Sequence, residues 1–321
     1  MPPLMNGSTQ AVGRISRRSG SQGVIFGTVA YVLWGLFPAY WPLLAPAGAI
    51  EMVAQRIAWT MVVMVAVALL FGRWPVLRAL PARSWLLVAL AAVLITVNWI
   101  TYIYGVNSGH VVETALGYFI NPLVSVLFGV VVLRERLRVP QYVALGVALL
   151  AVVVLAVDYG RVPVISLTLA LSFGVYGLLK KTLPLDAVSG LTAESLVLGP
   201  LAVGYLVWLG ATGAGTFTGH GLGHTLLLLS TGPVTAIPLL LFGASARLVP
   251  LVTLGMLQYL APILQFAWGV FVKHEPMPTS RWLGFGLVWL ALLVFTVDAA
   301  RRRPRRDRVP ELAETRLGQL D

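Results

Sequence analysis

Cysteine is absent from the 321 residues, which excludes disulfides, thiol nucleophiles and cysteine-ligated metals. Charge is nearly as scarce: Asp, Glu, Lys and Arg supply 11% of the chain, against roughly a quarter in an average soluble domain. Only 12 residues are acidic and 4 are histidine. So little charge cannot keep the exterior of a globule this size in water, so a soluble enzyme and a disordered chain are poor readings. What the chain has is apolar residues, 58% of the total, with a mean hydropathy of +0.86. The composition predicts an all-α polytopic membrane protein.

The net charge of +11 does not point to nucleic acid, because of where it sits. Seven of the 23 basic residues fall in the last 21 positions, and Arg14, Arg17 and Arg18 precede the first apolar run. Basic clusters flanking apolar segments are the mark of cytoplasmic, anionic-lipid-facing ends, so lipid is the expected partner of the tail.

A spanning helix needs about 20 mostly apolar residues. Ten such runs are present, at 24–44, 50–71, 85–104, 111–133, 139–157, 162–179, 191–211, 222–246, 250–272 and 281–297. The first is too long for a signal peptide's apolar core and reads as a span. Alternate connections, starting from the N-terminus, carry 19 of the 23 Lys and Arg residues, and the others carry 3. The remaining one, Arg56, lies inside the second span. The positive-inside rule therefore places both termini in the cytoplasm.

At an offset of 140 the chain matches itself. Residues 116–158 align without gaps on 256–298, with 11 identities that include Pro122/Pro262, Gly129/Gly269, Glu135/Glu275 and Asp158/Asp298. Five spans per copy is an odd number, so the second copy enters the membrane from the opposite face. Inverted repeats are a recurrent plan of secondary transporters. The expected organisation is a cytoplasmic arm over 1–23, a first repeat over 24–158, a second over 162–298 and a basic cytoplasmic tail over 299–321.

Polar residues at helical spacing mark the equivalent fourth and ninth spans. Tyr118, Asn121, Pro122 and Ser125 stand on one; Gln258, Tyr259, Pro262 and Gln265 stand on the other. Spacings of three and four hold each set on one face, and such a face avoids lipid. We expect these residues to line a central pathway, together with Tyr31, Trp34, Asn98, Tyr102, Tyr176 and Thr235; the alternative is glue between helices. Aromatic walls with a few amides and hydroxyls suit a small organic solute better than a bare ion. Some aromatics sit near span ends, where Trp41, Trp74 and Trp85 read as interface anchors.

Intramembrane charge is confined to few places. Glu51 and Arg56 point roughly 140° apart on one helix, so they pair poorly. Glu113 is the better partner for Arg56, and an Arg56–Glu113 pair would gate the outer mouth, with Glu51 or Glu113 exchanging a proton. The alternative is an Arg56 that snorkels to the outer interface. Glu194 is placed to meet Lys180 or Lys181. No cofactor or metal is implied: His220 and His224 lack acidic or thiol companions. No nucleophile–base motif is present either, which argues against an intramembrane enzyme.

The run Ala30-Tyr31-Val32-Leu33-Trp34-Gly35-Leu36-Phe37-Pro38 resembles the opening of EamA-type members of the drug/metabolite transporter superfamily. More particular are Glu51 with Gln55-Arg56, Leu116-Gly117-Tyr118-Phe119-Ile120-Asn121-Pro122-Leu123, Leu133-Arg134-Glu135-Arg136-Leu137, Leu171-Ser172-Phe173-Gly174-Val175-Tyr176-Gly177-Leu178 and Leu257-Gln258-Tyr259-Leu260-Ala261-Pro262. Together these are similar to the RarD permease family, over residues 24–298. The resemblance implies ten helices in two EamA repeats around a cavity in a bacterial inner membrane, and a permease for uptake or efflux. The family usually shows His where Gln55 stands, so coupling through that position would differ here. Two alternatives for the function are a flippase-like exporter of amphipathic or lipid-linked metabolites and a purely structural subunit.

Overall fold

The computed structural model describes residues 7–131, 139–249 and 257–301. The turn bearing Arg134, Glu135, Arg136 and Arg138, the tail beyond Arg301 and the side chains of Arg14, Arg17 and Arg18 lie outside that description. Among the described residues every regular element is helical. They are α1 (Gly7–Gly35), α2 (Phe37–Tyr40) running into a 3-10 turn (Trp41–Leu44), α3 (Ala49–Leu70), α4 (Trp74–Arg78), α5 (Ala82–Asn107) and α6 (Val111–Val131). There follow α7 (Val139–Asp158), α8 (Val164–Thr182), α9 (Ala187–Thr212), α10 (Gly221–Leu248), α11 (Leu260–Ala267) with a π turn (Trp268–Val272), and α12 (Thr279–Arg301).

Of these, α3, α5, α9 and α10 are long and apolar enough to cross a membrane by themselves. A fifth span arises if Ser21–Gly35 and Phe37–Leu44 count together; they are bent by 40°. Pro38 occupies the first turn of α2, where its missing N–H leaves no bond unmade, so the chain restarts there rather than continuing straight. The first helix also begins at Gly7, well before residue 24, so arm and span are one continuous helix.

Apolar residues lie both inside and outside. Leu70, Leu86, Leu149, Leu201 and Leu222 are exposed, as a lipid-facing surface requires. Inside, one core gathers Phe37, Trp41, Leu44, Met52, Tyr102 and Ile103 between the α2 turn, α3 and α5. A second joins α6, α7, α11 and α12 through Leu116, Phe119, Leu155, Phe266 and Phe285. Phe266 sits among three rings, with centroids 4.7 Å from Phe285, 5.5 Å from Trp289 and 5.7 Å from Trp282.

The principal pairings are α1 with α10 and α11, α3 with α9 and α10, α5 with α8 and α9, α6 with α8 and α11, and α7 with α12. Carboxylates staple some of them. Asp158 at the end of α7 accepts hydrogen bonds from Ser280 and from Arg281 Nε on α12, the latter at 3.1 Å. Glu275 accepts the first-turn amides of α6, Val111 N–H at 2.6 Å and Val112 N–H at 2.9 Å. Those donors have no partner within their own helix, and the carboxylate also meets the positive end of the helix dipole.

Gly232 marks the tightest backbone approach, where α10 crosses α3. A Cβ there would sit 2.6 Å from the carbonyl carbon and oxygen of Trp59, and main chain cannot swing aside. Gly232→Ala should destabilise by about 1–3 kcal/mol through overpacking. Gly177→Ala, which meets open space, should leave thermal unfolding in detergent within about 0.5 kcal/mol of wild type.

Glu275 makes a second expectation. Burial outweighs its two amide donors and pushes its carboxyl above the usual 4.5. The unfolded chain then releases the proton first as pH rises. Stability from the protonated form is complete below about 4.5 and is lost as pH climbs through the folded-state value. Unfolding temperature followed upward from pH 4 should decline in wild type and decline less in Glu275→Gln.

Candidate functional site

The polar residues singled out from sequence fall into two connected groups. In the first, Asn98 on α5 is fully buried and donates to Leu169 O at 3.0 Å and Ser172 Oγ at 3.1 Å on α8. Tyr118 on α6 donates to Asn98 Oδ1 at 3.2 Å. The Tyr118 ring lies 5.6 Å from Tyr102 and 6.5 Å from Phe173, and Phe173 lies 5.8 Å from Tyr176. Tyr176 donates to Glu194 Oε2 at 3.1 Å, and Lys180 closes the line on Glu194 Oε1 at 2.6 Å. A continuous polar and aromatic seam thus runs through α5, α6, α8 and α9.

The second group joins α1, α10 and α11. Tyr31 and Trp34 pack edge to face at 5.2 Å, with Phe242 of α10 against both. Gln265 of α11 donates from Nε2 to Trp34 O at 3.1 Å, while its Oε1 is buried without a partner. Trp34 also borders the core that holds Tyr102, so the two groups share a wall.

Other expected residues are placed less centrally. Thr235 is buried but donates to Thr231 O at 2.8 Å in its own helix. Asn121 is buried with Oδ1 unpartnered. Tyr259 packs against the second core, and Gln258 is half-buried just before α11. The side chain of Ser125 lies outside the described residues.

The expected Arg56–Glu113 pair does not form. Glu113 accepts from Arg161 Nη2 at 2.8 Å, in the connection before α8, and from Ile165 N–H at 3.2 Å, at the start of α8. Glu51 faces the other way, accepting from Thr216 N–H at 2.8 Å and Thr216 Oγ1 at 3.1 Å, with His224 bonded to the same hydroxyl. Arg56 neither pairs nor snorkels: it is 3% exposed. Its guanidinium carbon lies 3.8 Å from the centroid of Trp99, 5.2 Å from Trp41 and 5.7 Å from Phe37. Among the described residues no hydrogen bond or ion pair reaches it, and Nε is buried and unsatisfied. The local reason is Arg161, which lies closer to Glu113 along the wall formed by α6 and α8.

Trp41 is a second correction. It is fully buried beneath Phe37, Tyr40 and Arg56 rather than anchored at an interface. Trp99, Phe37 and Arg161 were missed. Trp99 stands three residues before Tyr102, a spacing that places both on one face of α5 and marks it as a wall of the same space.

A cavity of about 400 Å³ opens near this core, lined by Pro42, Ala47, Met52, Val106, Asn107 and Lys273. Met52 precedes Arg56 by one turn of α3, and Val106 follows Tyr102 by one turn of α5.

Comparison with known proteins gives this geometry its setting. Residues 21–157 match the EamA-like transporter family. Protein RarD of Streptomyces exfoliatus is 53% identical over 298 residues, covering 92% of this chain and 95% of that one. The uncharacterized transporter YojE of Bacillus subtilis (strain 168) is 43% identical over 286 residues, covering 87% and 95%. One solved crystal structure shares the fold, with a TM-score of 0.58 at 18% identity over 87% of this chain and 99% of that one. The chain therefore belongs to the RarD family of EamA-like, drug/metabolite transporters, and is a multi-pass membrane transporter and not an enzyme.

Proposed function

We infer that the protein is a secondary-active permease that moves a small organic solute across a bacterial inner membrane by alternating access. Ten spans in two inverted repeats, 24–158 and 162–298, carry it, with both termini cytoplasmic and the basic tail on anionic lipid. One observation supports this most: the helix pairings survive an exchange of halves. The offset of 140 equates α1 with α8, α3 with α9, α5 with α10, α6 with α11 and α7 with α12. Under that exchange the α1–α10 pair becomes α8–α5, α1–α11 becomes α8–α6, and α3–α10 becomes α9–α5. The pairs α3–α9, α6–α11 and α7–α12 map onto themselves. Because each unit has five spans, the two run oppositely, and swapping their conformations converts an inward opening to an outward one.

Buried amides from both units, Asn98, Asn121 and Gln265, with the half-buried Tyr118 phenol, would supply the polar lining that a solute needs at membrane depth. Glu51, Glu113 and Arg56 remain the charged groups at hand for gating or coupling, now as separate clusters.

The absence of native cysteine makes topology directly measurable. Single cysteines placed near residues 3 and 318 should react with a membrane-impermeant maleimide only after cells are permeabilised. Reaction of one terminus in intact cells would end the inverted-repeat reading. A Pseudomonas aeruginosa relative bears the name chloramphenicol-sensitive protein RarD, so radiolabelled chloramphenicol is the first solute to offer to proteoliposomes. Removing one lining amide, in Gln265→Leu or Asn121→Leu, should slow uptake about 2- to 10-fold; unchanged rates in both would remove them from the pathway.

A further inference from the structure

Arg56 is the one described cation that is buried inside the helices without an anion, and the groups around it share a chemical bias. Each described carboxylate that is buried nearby is already engaged: Glu51 by Thr216, Glu113 by Arg161 and Ile165, Glu194 by Lys180 and Tyr176. Three buried N–H donors around it are unsatisfied, the Arg56 Nε–H, the Trp41 indole N–H and the Trp268 indole N–H on a ring packed against the same core; the Tyr102, Thr60 and Thr96 hydroxyls, which can donate or accept, are unsatisfied too. Three aromatic rings wall the guanidinium.

Unsatisfied N–H donors, hydroxyls free to donate, a fixed positive charge and aromatic walls describe a receptor for an anion that carries an apolar body. Stacking over Trp99 offsets part of the cost of burying the charge, but it leaves the in-plane N–H fork unused. That fork fits a planar carboxylate bidentately.

The cavity is lined by Met52 and Val106, which stand one helical turn from Arg56 and Tyr102 along α3 and α5, and by Pro42, next to Trp41 in the chain. Lys273 lines it and is exposed, so a cation stands at this cavity.

We propose that Arg56, with Trp41 and Tyr102, binds the carboxylate of an amphipathic organic monoanion, which enters past Lys273. This deepens the permease reading by naming the substrate's chemical class, and it rests on that reading only for the claim that the bound anion is transported.

The test is thermal unfolding of the purified full-length protein with 3-phenylpropionate, indole-3-acetate and octanoate, each beside its primary amide, and with inorganic phosphate. At least one carboxylate should raise the unfolding temperature by about 2 °C at tenfold its Kd, with its amide and phosphate silent. Arg56→Gln should weaken that carboxylate about 10- to 100-fold, and Arg56→Lys should weaken it less while keeping the preference over the amide. If Arg56→Gln does not fold, Trp41→Phe removes a single donor and should weaken binding about 3- to 10-fold. Silence from all three carboxylates, an equal response to the amides or to phosphate, or wild-type affinity in Arg56→Gln or, where that variant does not fold, in Trp41→Phe would overturn the proposal. Chloramphenicol uptake by proteoliposomes reads the other arm. Uptake without carboxylate binding keeps the permease and removes the anion site, whereas carboxylate binding without uptake of any offered solute keeps the site and removes the permease.

Discussion

The constraint on which the structure depends is that a charge inside an apolar helical bundle must find its partner within the protein. Water is not there to supply one, and an isolated ion at span depth costs about 2.5–3.5 kcal/mol even on lenient scales. The chain answers this locally and often. Asp158 ties α7 to α12, Glu275 ties the segment after α11 to α6, Glu194 ties α9 to α8, and Glu113 ties α6 to the start of α8. The ties of Asp158, Glu275 and Glu113 join elements distant along the chain, and that of Glu194 joins two consecutive helices, so the scarce carboxylates serve as assembly instructions. Arg56 departs from this pattern: it is buried against aromatic rings, while Glu51, Glu113 and Glu194 are each bonded to other partners.

The ties also fix which surfaces remain free to move. Glu113 with Arg161 and Ser166 Oγ with Glu113 O hold α6 to α8, while Ser245 Oγ with Gly23 O holds α10 to α1. Both are pairings that cross from one unit to the other. The seam of Asn98, Tyr118, Tyr176 and Glu194 passes from one unit to the other where Asn98 bonds Leu169 and Ser172. On the alternating-access proposal, a rocking of one unit on the other would change the spacing at that crossing.

Much of this was legible in the sequence, for a physical reason. Helical, apolar segments follow from local composition, and a helical face follows from spacing of three and four, so Asn98, Tyr118 and Tyr176 could be singled out before the structure showed them in one seam. The offset of 140 likewise set the exchange symmetry of the pairings. What spacing cannot give is which face of one helix meets which face of another. Glu113 and Arg56 sit at similar depth, yet Arg161, counted from sequence as an ordinary loop charge, is the residue that reaches Glu113. Trp41 looked like an interface anchor because it ends an apolar run; the bend at Leu36–Phe37 turns it inward, and only the broken helix explains its burial.

The first turns of α3 show how one helix keeps opposite charges apart at close range. Glu51, Gln55 and Trp59 follow one another at intervals of four and form one stripe. Gln55 Oε1 accepts from Trp59 Nε1 at 2.9 Å, Trp59 stacks on Phe217 at 6.1 Å, and Glu51 is held by Thr216 of the same loop. Met52 and Arg56 form the adjoining stripe, which faces the α2 turn and α5. Five residues of separation make about 140° of rotation, so the acid is turned onto a loop and the base onto a core. Had these residues stood four apart, they would have neutralised each other on one face and the pocket around Arg56 would have held no net charge. The spacing therefore leaves Arg56 without an anion on its own helix, while Gln55, a neutral amide, is bonded within the helix to Trp59.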